Sequence, residues 1–242
     1  MLADHASVGF GDAFGMKVAI LFSGGKDSTF ATHVAISQGW DVRCLVTLLP
    51  ARNDSWMFHH PCAELTKLQA EAMGMKHVMW ETAGEKEKEL EDLTAAIRSI
   101  KDDVDAVVSG AIASRYQKDR IDAVCKELDL RSICPLWGKD QLNLLRDEID
   151  AGLEIVMTAV AAEGLDAKWL GRRIDRDAAN ELAALNRKFG INIALEGGEG
   201  ETFVTDAPMF KKKIELGEIE KMWDEDTSSG YIVCKNAKLV SK

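Results

Sequence analysis

The sequence predicts an α/β protein with a parallel sheet in its first part and a smaller α+β region in its second. Short apolar runs typical of buried strands alternate with segments of helical spacing from residue 16 to residue 137. A glycine-rich turn joins the first of these strands to the first helix. After residue 137 the alternation becomes irregular, so we predict one domain over 16–137, a second over 138–242 and a loose tail over 1–15.

Composition and charge narrow the class of protein. The chain has 242 residues, of which 46% are hydrophobic and 29% are charged, as in globular proteins with a proper core. The longest apolar run, over 155–162, is far too short to cross a bilayer, and residues 1–15 do not resemble a signal peptide. The five cysteines form no CxxC pair, which favours reduced structural thiols and a cytoplasmic location. The net charge of −10 disfavours a nucleic-acid partner.

The glycine-rich turn lies between a predicted strand over 16–22 and a predicted helix over 29–38. It consists of Ser23, Gly24, Gly25, Lys26, Asp27 and Ser28. Two glycines let the backbone approach a ligand, and the unpaired N–H groups and the dipole at the start of the helix favour an anion there. Lys26 adds a mobile positive charge, the serines add hydroxyl donors, and Asp27 suits the orientation of Lys26 or of a hydrated Mg²⁺. The turn therefore predicts a phosphate site, the alternative being an ordinary turn with a solvated Lys–Asp pair.

The turn does not match the Walker A pattern. That pattern needs a glycine where Ile20 stands and a serine or threonine where Asp27 stands. The phosphate site predicted here is therefore of another type.

The segments that follow continue the alternation of strand and helix. We predict strands over 41–48, 77–82, 106–110 and 131–136, and helices over 62–73, over 85–100 and after a cap at Ser114. The carboxyl ends of parallel strands face the ligand crevice, so residues 109–120 should lie beside the turn. A solvated basic helix face is the alternative for this segment.

The second region mixes helices and strands. We predict helices over 140–151, 167–170 and 175–189, strands over 154–161 and 191–195, and further strands within 211–242. Between 191–195 and the apolar residues 203–205 lies the segment Glu196 to Thr202, which holds three glycines and three carboxylates. Because glycine is entropically costly to order, this segment predicts a binding loop, and an acidic solvated hairpin loop is the alternative.

The sequence resembles a known protein family through five segments. These are Ser23 to Ser28, Ser55 to His59, Gly110 to Arg120, Pro135 to Gly138, and Glu196 to Thr202 with Asp206 to Pro208. The first resembles the pyrophosphate-binding loop (PP-loop) of the N-type ATP pyrophosphatases. The third and the last resemble the diphthine–ammonia ligases within that superfamily. The likeness covers nearly the whole chain from Lys17 onward and departs from the family pattern at His60, Lys118 and Gly200.

This resemblance implies a fold and an activity. The implied fold is a Rossmann-like, adenine nucleotide alpha hydrolase-like sheet with a smaller C-terminal α+β domain. The implied reaction is the ATP-dependent amidation of diphthine on translation elongation factor 2 through an acyl-adenylate, giving diphthamide, AMP and pyrophosphate. It implies Mg²⁺ as cofactor and free ammonium as the nitrogen source. It implies no membrane or nucleic-acid partner, and a homodimer is an open possibility.

The resemblance also implies three groups of site residues. The ATP-binding group is Ser23, Gly24, Gly25, Lys26, Asp27, Ser28, Thr47, Ser109, Gly110 and Arg115. The acceptor-binding group is Tyr116, Gln117, Arg120, Glu196, Gly197, Gly198, Glu199, Glu201, Thr202 and Asp206. The catalytic group is Lys26, Asp27, His59, Glu199 and Glu201, with Asp27 as the Mg²⁺ ligand.

Two expectations about geometry accompany these groups. We expect Lys26 to be exposed in the absence of nucleotide, because a loop lysine would pair only with phosphate. We expect the three glutamates of the acidic loop to serve the acceptor, because they repel ATP and attract the trimethylammonium group of diphthine.

Two other classes of function remain open on the residues alone. A sulfur transferase acting on tRNA would share the glycine-rich turn but needs a reactive cysteine near the crevice. A non-catalytic adenine-nucleotide-binding module would keep the turn without turnover.

Overall fold

The first part of the chain forms a five-stranded parallel sheet. The computed structural model describes residues 14–50, 62–82 and 86–242, so the predicted tail lies almost entirely outside the described residues. The strands are β1 Lys17–Leu21, β2 Asp41–Pro50, β3 His77–Thr82, β4 Ala106–Val108 and β5 Arg131–Ile133. Their order is β3-β2-β1-β4-β5, and every neighbouring pair is parallel. This is a Rossmann-like sheet, and the predicted α/β fold is confirmed.

Helices connect these strands. They are α1 Lys26–Ser37, α2 Thr66–Met73, α3 Lys86–Arg98 and α4 Arg115–Glu127, with short 3₁₀ helices at Ala63–Leu65 and Lys101–Asp103. The Ser114 hydroxyl accepts a hydrogen bond from the N–H of Gln117 at 3.4 Å, so the predicted cap of α4 is confirmed. Because β1 lies at the centre of the sheet, the turn that follows it opens where the strand order reverses, the usual place for a ligand in such sheets.

The second part of the chain is the predicted α+β region. It contains α5 Gln141–Asp150, β6 Glu154–Val160, β7 Arg173–Ile174, α6 Arg176–Phe189, β8 Gly200–Asp206, β9 Lys213–Glu215, β10 Glu218–Asp224, β11 Ser229–Lys235 and β12 Lys238–Val240. An antiparallel sheet has the order β10-β11-β6-β7, with β8 also paired to β6, and β9 pairs with β12.

Two predicted elements in this region are wrong. Residues 167–170 form turns rather than a helix, because the N–H of Trp169 bonds to Asp166 and the N–H of Arg172 bonds to Trp169. Residues 191–195 form a turn rather than a strand. Asn192 closes that turn, since its side chain accepts the N–H of Ala194 and its carbonyl accepts the N–H of Leu195, which has φ 63°.

The two regions share one hydrophobic interior. Its largest cluster of buried side chains includes Ile20 and Leu45 of the parallel sheet together with Ile155, Leu182 and Phe203 of the second region. A domain boundary near residue 137 therefore stays a prediction. Within the described ranges, no helix has the length and apolar character needed to span a membrane.

Candidate functional site

The glycine-rich turn, Ser23 to Ser28, lies where β1 ends and α1 begins. Gly24 has φ +80°, a conformation that L side chains rarely adopt, and Gly25 is the N-cap of α1. The end of β4 packs directly on this turn. A Cβ at Gly110 would lie 2.7 Å from the backbone nitrogen of Ser28, so only glycine fits there without a shift.

Serine hydroxyls close the turn. The Ser23 and Ser28 Oγ atoms are 3.1 Å apart, and Ser28 Oγ accepts the backbone N–H of Ser23 at 3.2 Å. The Gly25 carbonyl lies 3.2 Å from Ser28 Oγ, which can donate to it. These hydrogen bonds fix the shape of the turn.

The expectation that Lys26 is exposed is wrong. Its side chain is 2% exposed, and its Nζ lies 2.5 Å from Asp27 Oδ1 and 4.0 Å from Glu148 Oε2 on α5. Burial alone would lower the pKa of Lys26, but the two carboxylates outweigh burial and raise this pKa above its ordinary value. The ammonium group is therefore buried and stabilised by Asp27 and Glu148.

Glu148 is the partner that the sequence did not indicate. It is 0% exposed, and burial raises its pKa well above the ordinary value, while the Lys26 ammonium opposes the shift. The sequence held one signal only. Glu148 is a charged residue four and three positions after Leu144 and Leu145, and this spacing places it on the buried face of the helix.

The acidic glycine loop, Glu196 to Thr202, docks onto the glycine-rich turn. The Thr202 Oγ1 accepts the backbone N–H of Lys26 at 3.2 Å, and the N–H of Val204 donates to the carbonyl of Gly24 at 3.1 Å. Gln69 on α2 bridges the two, since its Nε2 donates to the carbonyls of Gly24 at 2.9 Å and Val204 at 2.8 Å. The loop and the turn therefore form one unit.

Gln69 was missed by the sequence analysis. It lies four residues after Leu65 and three before Ala72, on the face of α2 predicted to be apolar, and this polar residue on a buried face was the available signal.

Two glutamates of the acidic loop bind backbone amides. The two carboxylate oxygens of Glu196 accept the N–H groups of Ile112 and Ala113, each at 2.8 Å. The carboxylate of Glu199 accepts the N–H groups of Asn192 at 3.2 Å and Gly197 at 2.8 Å. Glu196 thereby ties the loop to the segment after β4, and Glu199 fixes the shape of the loop itself.

The three glycines of the acidic loop fit this fixed shape. Gly198 has φ +88°, and a Cβ at Gly197 would lie 2.9 Å from the Glu199 carboxylate. Gly200 begins β8 opposite Val160, where a Cβ would lie 2.8 Å from the Ala159 carbonyl oxygen. The departure from the family pattern at this position thus fits the close strand pairing.

A cavity of about 520 Å³ opens at the carboxyl ends of β1 and β2. Ser23 and Thr47, both predicted to bind ATP, line it. Tyr116, Gln117 and Arg120, predicted to bind the acceptor, line the same cavity. The structure therefore brings members of both groups to one cavity.

The Thr47 hydroxyl is held at the floor of this cavity. It donates to the carbonyl of Phe22 at 2.6 Å, so it accepts from His77 Nε2 at 2.8 Å. Burial lowers the pKa of His77, which favours a neutral ring that donates from Nε2.

Other predicted site residues lie apart from the cavity lining. Ser109 is buried with its Oγ 3.1 Å from Cys134 Sγ, and Arg115 is exposed. Asp206 is at the far end of β8, where its Oδ1 lies 2.6 Å from Lys242 Nζ. His59 and the segment Ser55 to His59 lie outside the described residues.

Comparison with known proteins covers most of the chain. A family model described as diphthamide synthase N-terminal domain matches residues 16–132, and one described as diphthamide synthase C-terminal domain matches residues 140–240. The chain is 35% identical over 221 residues to the diphthine–ammonia ligase of Homo sapiens, covering 82% of each chain. It is 36% identical over 245 residues to the diphthine–ammonia ligase of Schizosaccharomyces pombe, covering 94% of this chain and 40% of that one.

Among solved structures, the U34-tRNA thiolase NcsA from Methanococcus maripaludis is similar with a TM-score of 0.40 and 10% identity, covering 73% of this chain and 67% of that one. A likeness this distant carries no argument about activity. The two family models match most of the chain, and the human relative is 35% identical over 82% of it. The chain therefore belongs to the diphthamide synthase family.

Proposed function

We propose that this chain catalyses the ATP-dependent amidation of diphthine on translation elongation factor 2 by ammonia, through an acyl-adenylate, giving diphthamide, AMP and pyrophosphate. Its relatives are named diphthine–ammonia ligases. One structural observation carries the proposal for this chain. The glycine-rich turn and the acidic glycine loop, which the family resemblance assigns to nucleotide and acceptor, are joined by hydrogen bonds, and Ser23 of the turn lines the cavity.

The glycine-rich turn would bind the phosphates. Helix α1 begins at Lys26, so its first N–H groups and its dipole favour an anion at this place. Since no protein nucleophile is needed, catalysis rests on positioning and on stabilising the charge of the leaving pyrophosphate. Apolar atoms of Val46 and Leu48 in the cavity wall suit an adenine base.

Asp27 fits a shared Mg²⁺. Its side chain is 27% exposed beside the turn, whereas no set of three His, Cys, Asp or Glu in the described part of the chain could hold a metal alone. Mg²⁺ is commonly held by one or two carboxylates together with substrate phosphates. The ion would supply positive charge to the phosphate oxygens.

The acceptor side of the site would rest on Glu201 and on the wall formed by Tyr116 and Gln117. A carboxylate suits the trimethylammonium group of diphthine, which is a fixed cation without hydrogen-bond donors. Ammonium must lose a proton before it attacks, and Glu201, Glu199 and His59 are the candidate bases. Because Glu199 holds two backbone N–H groups, its proposed role is to shape the loop.

The proposal is tested with elongation factor 2 that carries diphthine, ATP and ¹⁵N-ammonium. We expect incorporation of ¹⁵N into the diphthine residue by mass spectrometry, with AMP and pyrophosphate as the other products. ADP in place of AMP would refute the proposed cleavage of ATP. In a parallel assay with tRNA and a sulfur donor, thiolated tRNA would indicate the sulfur-transfer alternative. Absence of turnover in both assays would indicate the binding-module alternative.

The matched variant is Lys26→Ala. We expect it to abolish pyrophosphate release, because it removes the only lysine of the turn. Circular dichroism controls for the fold, since the ammonium is buried in the free protein. Turnover near the wild-type rate would refute the role of the turn.

A further inference from the structure

Glu148 is a buried acidic side chain without an ordinary hydrogen-bond partner. The residue is 0% exposed on α5, and neither of its carboxylate oxygens has a hydrogen-bond partner among the residues that the structure describes. Buried polar groups are nearly always hydrogen-bonded, and each exception needs an explanation. The cation facing Glu148 at ion-pair distance is the Lys26 ammonium, at 4.0 Å.

The surroundings of this pair contain further carboxylates. Asp27 on α1 contacts the ammonium, Asp147 neighbours Glu148 on α5, and Glu196 of the acidic loop adds its field to Lys26. One ammonium group thus lies among negative charges, and Lys26 is not among the residues that line the cavity beside the turn. This arrangement stabilises the side chain away from the anion site.

The backbone around Lys26 is held by hydrogen bonds, so a change in the position of the ammonium falls to the side chain. The backbone N–H of Lys26 bonds to Thr202 Oγ1, and the preceding Gly24 carbonyl accepts from Val204 and Gln69. Reaching a phosphate therefore requires the ammonium to leave Glu148 while the turn stays in place.

We propose that Glu148 is a positioning residue for Lys26, which holds the ammonium in its buried position until a nucleotide phosphate displaces it. The inference rests on the proposed function, because it takes the anion at the turn to be the phosphate chain of ATP. Binding then competes with an internal ion pair, and the affinity for nucleotide is lower than the turn alone would give.

The direction in which nucleotide affinity changes when Glu148 is replaced separates this positioning role from a merely structural one. A structural defect would weaken nucleotide binding, whereas loss of the competing carboxylate strengthens it. If the retracted lysine accounts for nine-tenths of the free protein, its release tightens binding about tenfold.

The experiment is calorimetric titration with α,β-methylene ATP of the wild type, Glu148→Gln and the control Asp147→Asn, which changes an exposed carboxylate on the same helix. We expect about tenfold tighter binding by Glu148→Gln and a much smaller change for the control, because Asp147 is exposed and its charge is screened by solvent. In the Lys26→Met background, Glu148→Gln should no longer tighten binding. Unchanged or weaker binding by Glu148→Gln with wild-type circular dichroism would overturn the proposal.

A second measurement does not need nucleotide. Urea unfolding of the wild type, Lys26→Met, Glu148→Gln and the double variant gives the coupling between the two side chains, and we expect clear non-additivity. If the changes in the free energy of unfolding were additive, Glu148 would not stabilise the position of Lys26, and the proposal would be wrong even where nucleotide binds normally. If the wild type bound no nucleotide at all, the proposed function would fail, and the displacement step with it. Glu148→Asp serves where Glu148→Gln does not fold, because it keeps the charge and lengthens the distance to Nζ.

Discussion

Single carboxylates in the acidic glycine loop have different tasks although they lie close in sequence. Glu196 and Glu199 each accept two backbone N–H groups, so they stabilise the loop rather than face a ligand. A backbone N–H left without its acceptor loses free energy comparable to a hydrogen bond. The repulsion of ATP expected from three glutamates is therefore reduced, because two of them are neutralised in part by amide dipoles.

Substitution of these glutamates tests the division of tasks. We expect Glu196→Ala to lower the free energy of unfolding by about 1–3 kcal/mol, because two amides of the segment after β4 lose their acceptor. Nucleotide affinity should fall with it, since that segment packs on the turn. Urea unfolding and calorimetry measure both effects.

Glu201→Gln is the matched comparison. We expect it to leave stability and ATP affinity within a few-fold of the wild type and to reduce amide formation strongly, because its proposed task is to bind the acceptor. Equal loss of nucleotide binding and ligation in this variant would place Glu201 in the ATP site instead.

At the scale of elements, the side chain of Glu154 at the start of β6 joins β6 to two other strands. The carboxylate of Glu154 pairs with Arg173 of β7 at 3.3 Å and with Lys213 of β9 at 2.6 Å. Burial would raise the pKa of Glu154, but the hydrogen bond from Lys213 and the charge of Arg173 outweigh it and lower this pKa below its ordinary value of 4.5.

The two ion pairs of Glu154 predict that the stability of the protein depends on pH. A carboxylate with a lowered pKa contributes stability above its unfolded pKa, and the contribution is lost as pH falls through the folded pKa. We expect Glu154→Gln to lower the free energy of unfolding at neutral pH by at most about 1 kcal/mol, and the difference to vanish in acid. Glu220→Gln, which breaks a more exposed pair with Lys235, should change little at any pH. A difference for Glu154→Gln that grows in acid would contradict this account.

Most elements could be predicted because their cause is local. The apolar run of β1 and the Ser114 cap of α4 lie within a few residues of the structure they determine. The segments 167–170 and 191–195 could not be predicted, since hydrogen bonds at Asp166 and Asn192 override their apolar composition. In such short segments, the hydrogen bonds that Asp and Asn make to the nearby backbone determine the structure more than the spacing of apolar residues does.

At the scale of the molecule, the site could be predicted in type but not in its internal contacts. The glycine-rich turn is contiguous, so its residues indicate an anion site without a structure. The contacts of Lys26 with Glu148 and of Gln69 with Val204 join distant parts of the chain, and no spacing rule indicates them. The same contacts connect the glycine-rich turn to the core that both regions share.

That connection predicts how nucleotide binding affects the cysteines. Cys62 and Cys125 are free and buried, and burial raises their pKa values to about 12 and about 11. The thiolate is the reactive form, so a thiol reagent reaches these two residues only when the surrounding structure opens. Cys234 is half-buried and should react before these two.

We therefore expect α,β-methylene ATP to slow the labelling of Cys62 and Cys125 together and to leave Cys234 nearly unchanged. A ligand that binds only the folded state stabilises it by about 2.7 kcal/mol at a hundredfold excess over Kd, so labelling through global opening should slow about a hundredfold. Mass spectrometry of peptides after timed labelling measures the three rates separately. Cys62 belongs to the core that both regions share, and Cys125 to a separate cluster of the parallel sheet. If the analogue protects Cys125 but not Cys62, the shared core opens without global unfolding and does not transmit nucleotide binding across the molecule.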